Sequence, residues 1–221
     1  MLSNIIDISQ PMRPSTPVWP GDTPFSIEET WTISDVCPVR VSRMTLSTHT
    51  GTHADAHSHY DEHGIDSASR ELTPYIGPCL VIDVAGGTSA VDCDDVLPVI
   101  DTLDTTPERI LVRTFETFPL TQWPTDFRAI SAELVDVLGA RGCQLIGTDA
   151  PSIDPETSKT MDAHHAVNRH GMAILEGLVL DAVTPGAYEL IALPLRIEKA
   201  DATPVRAVLR PLGDALIGAA D

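Results

Sequence analysis

The chain has 221 residues, 43% of them apolar, and a formal net charge of -18. That length suits one domain with a sizeable core, and the apolar share lies in the globular range, which excludes a disordered chain. A field of this sign repels phosphate backbones and anionic lipid, so nucleic acid and membrane surfaces are poor partners.

The chain opens with "MLSNIIDISQPM", which has neither a basic n-region nor a long apolar h-region, so no secretory signal is expected. No apolar run approaches the ~20 residues of a membrane helix. Within the opening, "NIIDIS" reads as a short strand. "QPMRPSTPVWPGDTPF" follows as a proline-rich loop that cannot be helical. "VRVSRMTLS" is β-like and runs into a histidine cluster. "CLVIDVAG" and "RILVRT" read as buried strands. "SAELVDVLGARG" reads as a helix, with Ser131 as N-cap, Glu133 in the first turn and glycines at its end. "CQLIGTDA" is a further strand. "SKTMDAHHAVNRHG" is a short helix stopped by Gly171, and "MAILEGLVLD" is a strand with one acid inside it. "YELIALPLRI" and "PVRAVLRPL" close the chain. Strands outnumber helices and the two interleave, which predicts an α/β or mixed α+β domain. The cysteines, Cys37, Cys79, Cys93 and Cys143, form no CxxC pair. With no secretion signal, they are expected as reduced thiols in a cytoplasmic protein.

The cluster is "HTGTHADAHSH", His49 to His59, and five of the chain's eight histidines fall between His49 and His63. Imidazole nitrogen and carboxylate oxygen are the donors that Zn²⁺ and similar ions take, at roughly 2.0–2.2 Å. An extended strand from His49 to His59 would span roughly 33 Å, too long for one site, so the segment must curl. Gly51 is where it curls most easily, having no Cβ. His49 and His53 are four apart, which suits two ligands on one turn, and the Asp55 carboxylate has two oxygens with which to bridge two ions. A second cluster lies downstream: His164, His165, His170 and Glu176. Glu176 stands in an otherwise apolar strand, where an unpaired carboxylate is costly unless it faces solvent or a cation. The chain has no GxSxG elbow, no P-loop, no GxGxxG and no HExxH.

"HTGTHADAHSH" resembles the H-x-G-T-H-x-D-x-P-x-H signature of the cyclase-like metal-dependent hydrolases. "ISQPMRPSTPVWPGDTPF", "SKTMDAHH", "MAILEG" and "YELIALPL…DATPVRAVLR" resemble, in order and over nearly the whole chain, the bacterial kynurenine formamidases (arylformamidases) within that family. The resemblance implies a single cyclase-like domain over residues 1–221, a mixed β/α swivelling fold of β/β/α type, in a homodimer or higher homo-oligomer. It implies two Zn²⁺ per subunit, with Mn²⁺ as the alternative. His49, His53 and Asp55 would hold the first ion, and Asp55, His164 and Glu176 the second, with both carboxylates bridging. His59 would be the proton donor and acceptor, and Trp19 the substrate-contacting aromatic.

The implied reaction hydrolyses N-formyl-L-kynurenine, a small molecule, to L-kynurenine and formate in tryptophan degradation. A metal pair can hold a hydroxide as nucleophile at neutral pH and polarise the formyl oxygen. The aryl amine leaves only with a proton, which a histidine can carry. The competing enzyme reading is a cyclase-family hydrolase of a cyclic imide or lactam such as isatin. The competing non-enzymatic reading, a metal-binding scaffold, leaves His59 without a task. One position departs from the signature: His57 stands where proline is usual. Proline offers no donor or acceptor side chain, so His57 is expected outside the ligand set, at the site mouth or behind the ligands.

Overall fold

The computed structural model describes residues 5–212. Its main sheet has nine strands: β1 (Ile6–Asp7), β4 (His53–Asp55), β5 (Ile76–Asp83), β6 (Arg109–Arg113), β7 (Leu145–Thr148), β8 (Ala173–Glu176), β9 (Gly186–Ile191), β10 (Ala202–Pro204) and β11 (Val208–Pro211). They lie in the order β1-β11-β9-β5-β6-β7-β8-β4-β10. The central run β5-β6-β7-β8 is parallel, and the flanking pairs are antiparallel. β7 and β8 are buried throughout, as expected of parallel strands covered on both faces. A separate hairpin pairs β2 (Ser26–Trp31) with β3 (Val41–Thr45).

Alternation sorts the side chains between two cores. Ile82, Ile110, Val112, Ile146 and Ile174 point to the layer formed by helices α1 (Cys93–Ile100), α2 (Ala132–Ala140) and α3 (Asp162–His170). Val81, Leu111, Leu145 and Leu175 point the other way, against Ile8, Tyr75, Leu190 and Leu209. The register of β4 on β8 sets Ala54 opposite Leu175 on that second face. His53 and Asp55 therefore share the helix-side face with Ile174 and Glu176, and His53 stands directly opposite Glu176.

Most strands and both helices read from the sequence are present. Ser131 caps α2 by accepting from the Leu134 N–H, and Gly171 ends α3 in the left-handed region. Several readings change. The strand in "MAILEGLVLD" is confined to Ala173–Glu176, and that in "YELIALPLRI" ends at Ile191. The pattern did not reveal β2, β10 or α1. Helix α1 carries Pro98 inside eight residues, and it starts on a capping box between Asp92 and Asp95. Among the described residues no helix is long and apolar enough to cross a membrane.

Candidate metal centre

The histidine segment curls at Gly51, which has φ +70. Gly177 just beyond β8 has φ +62, and a Cβ there would lie 2.7 Å from the Gly51 oxygen. Two backbones meet at that point, and only glycine allows it. Thr52 ties them by donating its hydroxyl to the Gly177 carbonyl at 2.6 Å. His49 and His53 do not share a helical turn: His49 sits in the loop before Gly51, and His53 opens β4. His59 follows on a 3-10 turn, His57–His59.

Asp55 lies at the centre, fully buried. Its Oδ1 is 3.2 Å from His49 Nδ1 and 3.4 Å from His53 Nε2. Its Oδ2 is 3.4 Å from His164 Nε2. Glu176 mirrors it, with Oε2 3.3 Å from His53 Nε2 and Oε1 3.6 Å from His164 Nε2. Both Asp55 oxygens and His53 Nε2 are buried with no hydrogen-bond partner among the described residues. Such orphans are costly in a protein interior. Two ligands held about 2.1 Å from a tetrahedral ion lie about 3.4 Å apart, the spacing seen here. The donor set and its geometry therefore fit a metal.

The far nitrogen of each histidine supports the same fit. His53 Nδ1 is 2.9 Å from the Gly51 carbonyl, His164 Nδ1 is 2.6 Å from Asp154 Oδ2, and His49 Nε2 is 3.1 Å from Asp201 Oδ2. These oxygens only accept, so each ring carries its N–H there and turns a bare nitrogen toward Asp55 and Glu176. With protons as the only counter-charge, the site would have to stay protonated. Burial opposes the His49 imidazolium, yet Asp55 and Asp201 push it up to about 10. Burial likewise opposes charged His164, and Asp154 and Asp55 raise it to about 10. A cation would take the place of those protons.

Two of these carboxylates carry no signal in the sequence. Asp154 accepts from the Ala163 and His164 amides at 3.1 and 3.0 Å, doing the N-cap work that Met161 cannot do for α3. Burial raises its pKa, but the His164 ring and these amides bring it below the usual carboxylate range. Asp201 precedes β10, and only the pairing of β10 with β4 carries it to the cluster.

His59 Nδ1 is 3.6 Å from Asp201 Oδ2, and its ring centroid is 4.2 Å from that of His49. Burial is the largest influence on its pKa, which is lowered. His59 lines a cavity of about 530 Å³ with His49, His53, His164, Glu176 and Trp19. Trp19 forms a wall there, edge-on to Trp123 with ring centroids 5.4 Å apart. Trp123 is a second aromatic that the sequence did not single out. Its Nε1 donates to Glu156 at 3.0 Å. His57 lies neither in the ligand set nor at the mouth: it meets Arg70 Nη1 at 2.7 Å and the Met172 carbonyl at 3.1 Å. His165 and His170 are exposed, and His170 contacts Asp136.

The Cyclase family model matches residues 6–155, which hold His49, His53, Asp55 and His59. The chain belongs to the cyclase family. A relative, the kynurenine formamidase of Maricaulis maris (strain MCS10), is 56% identical over 212 residues, 96% of this chain and 100% of that protein. A solved structure described as a potential metal-dependent hydrolase with cyclase activity aligns with 93% of this chain and 96% of its own, at 26% identity and TM-score 0.78. Isatin hydrolase A from Labrenzia aggregata, bound to benzyl benzoate, covers 93% of each chain at 22% identity and TM-score 0.78, a likeness of fold.

Proposed function

We propose that this chain is an arylformamidase that hydrolyses N-formyl-L-kynurenine to L-kynurenine and formate. The 56% identity with a kynurenine formamidase over nearly the full length carries the substrate assignment. The cofactor assigned is two Zn²⁺, with Mn²⁺ the alternative: His49, His53 and Asp55 would hold one, and Asp55, His164 and Glu176 the other, the two carboxylates being shared. The split of contacts between the two Asp55 oxygens supports that sharing. When bound, such a pair supplies the Lewis acidity that activates water and polarises the formyl carbonyl.

The chain's own residues supply the rest. An anilide nitrogen is a poor leaving group until it is protonated, so a proton must reach it as the C–N bond breaks. His59 takes a proton from the attacking water and delivers it to that nitrogen. Among the histidines around the cavity, burial opposes charge on His49 and His164 but their carboxylates raise both pKa values, whereas burial lowers that of His59, which favours the neutral base at the start of the cycle. Trp19 and Trp123 offer the aryl ring an aromatic wall that orients the formamide toward the cluster. The working form assigned is a cytoplasmic homodimer. The four free cysteines accord with a reducing compartment. The β2–β3 arm, which exposes Ile27, Trp31, Val41 and Met44, supports contact with a second copy.

An absorbance assay with N-formyl-L-kynurenine and, separately, isatin tests the reading. Turnover of the formamide that stops on chelation and returns with Zn²⁺ or Mn²⁺ is expected. Turnover of isatin with none of the formamide would replace it.

A further inference from the structure

Asp201 stands between two histidines with different tasks. Its backbone is anchored to the end of β4: the Ala56 N–H donates to the Asp201 carbonyl at 2.8 Å, and Ala202 pairs with Asp55. The 3-10 turn bearing His59 leaves β4 at that point, while the loop bearing His49 arrives from the other side. The side chain spans the gap. Oδ1 accepts from the Thr48 hydroxyl at 2.8 Å, and Oδ2 faces His49 Nε2 at 3.1 Å and His59 Nδ1 at 3.6 Å.

A neutral imidazole has one N–H, and an ionised carboxylate can only accept. Oδ2 therefore selects the tautomer of His49 at 3.1 Å, and it favours the Nδ1–H form of His59, whose Nδ1 stands at 3.6 Å, just beyond hydrogen-bond length. His49 carries its hydrogen on Nε2, which leaves Nδ1 bare beside Asp55. His59 carries its hydrogen on Nδ1, which leaves Nε2 bare to take and return a proton. Rotation of His49 is restrained as well, because that ring loses its acceptor if it flips, and His59 turned over would lose the carboxylate facing its Nδ1.

We propose that Asp201 is a positioning residue that sets the tautomer and orientation of His49 and His59 together. The proposal deepens the formamidase reading by coupling metal holding to proton transfer through one carboxylate. The bland alternative is that Asp201 merely pins the loop through Thr48. Asparagine separates the two, because it keeps the size of aspartate and an oxygen for Thr48. It also places an NH₂ donor in the cluster, which frustrates at least one of the two rings.

The test compares Asp201→Asn with Asp201→Ala and with Thr48→Val, each checked by thermal melting. Competition with a chromophoric chelator should show Zn²⁺ held roughly 10–100-fold more weakly in Asp201→Asn. At saturating metal, kcat should fall roughly 10²–10⁴-fold with KM little changed, and Asn should be no better than Ala. Thr48→Val should stay within a few-fold on both readouts. Imidazole ¹⁵N shifts of the zinc-loaded wild type should report His59 as the Nδ1–H tautomer, a readout that needs neither a variant nor a substrate. His59 as the Nε2–H tautomer would overturn the proposal, as would Asp201→Asn with wild-type zinc affinity and kcat. Thr48→Val falling as far as Asp201→Asn would assign the loop-pinning role instead. If the wild type fails to hydrolyse the formamide, the proposed reaction falls, while zinc affinity and tautomer still decide the role of Asp201.

Discussion

The floor of the cavity is built from His53, His164 and Glu176, with Asp55 in contact with the two histidines, four side chains that ordinarily face water, and all four are buried. The β2–β3 arm is the reverse: every residue of both strands is exposed, including Ile27, Trp31, Val41 and Met44. Each region breaks the usual sorting of polar from apolar, in opposite directions. An unpaired buried charge costs several kcal/mol, so the floor persists only with a counter-charge. An exposed large apolar side chain forgoes about 1.5–3 kcal/mol of burial, so the arm gains only from a covering surface. Buried polarity is thus the mark of a small hard ligand, and exposed apolarity is the feature on which the proposed second copy rests.

Asp55→Ala breaks the floor side of this contrast most severely. It removes the carboxylate whose oxygens face His49, His53 and His164. Turnover is expected to fall by more than the ~10⁴-fold at the upper end for a lost acid–base group, and elemental analysis should find less than one metal per chain. A variant that keeps both metals would show that Asp55 is not their bridge. His59→Ala sharpens the same side. It should keep its metal and lose roughly 10²–10⁴-fold in kcat. Loss of metal along with activity would make His59 a ligand.

Metal uptake should also release protons. In the metal-free protein His49 and His164 are each held at about 10 by the carboxylates around them, against burial. At pH 8 both therefore carry protons that an incoming cation displaces, and affinity should climb with pH until about 10. Titration calorimetry in buffers of different ionisation enthalpy measures the release, and a pH-independent affinity would contradict it. The same pKa values are raised above the ~6.5 of an unfolded histidine. Their contribution to the stability of the metal-free fold is thus complete below about 6.5 and fades as pH climbs through about 10. The metal-loaded protein should lack that dependence.

Met44→Glu probes the arm. A charge on its apolar surface should dissociate a dimer seen by light scattering, while the stability of the single chain changes by no more than about 0.5 kcal/mol, as at most exposed positions. An unchanged dimer would place the interface elsewhere. His57→Pro should have the smallest effect. Ala56 before it is already extended, with φ -96 and ψ 156, so proline fits the start of the 3-10 turn and restricts the unfolded chain. The lost contact with Arg70 offsets that gain, leaving a net change expected within about 0.5 kcal/mol by thermal denaturation, with metal content intact.

The sequence by itself determined the chemistry. Donor types packed into His49–His59, an acid inside the apolar strand at Glu176, and a histidine pair within a short helix are local facts of composition and spacing. They marked His49, His53, Asp55 and Glu176, while the resemblance to the cyclase-like hydrolases picked His164 over His165 and supplied the roles of His59 and Trp19. Strands buried on both faces were legible for the same reason, because an unbroken apolar run needs no partner to be recognised. Strand β2 was not legible: "SIEETW" has no buried face to impose a pattern. Tertiary structure alone decided the pairings. The antiparallel register of β4 on β8 sets His53 opposite Glu176, residues 123 positions apart in sequence, and a slip of one residue would turn Glu176 to the other core. Asp154 and Asp201 were invisible for that reason. Each acts on a ring brought to it by a chain reversal, and a carboxylate gains that role from the distance to its partner, which no local pattern of residues encodes.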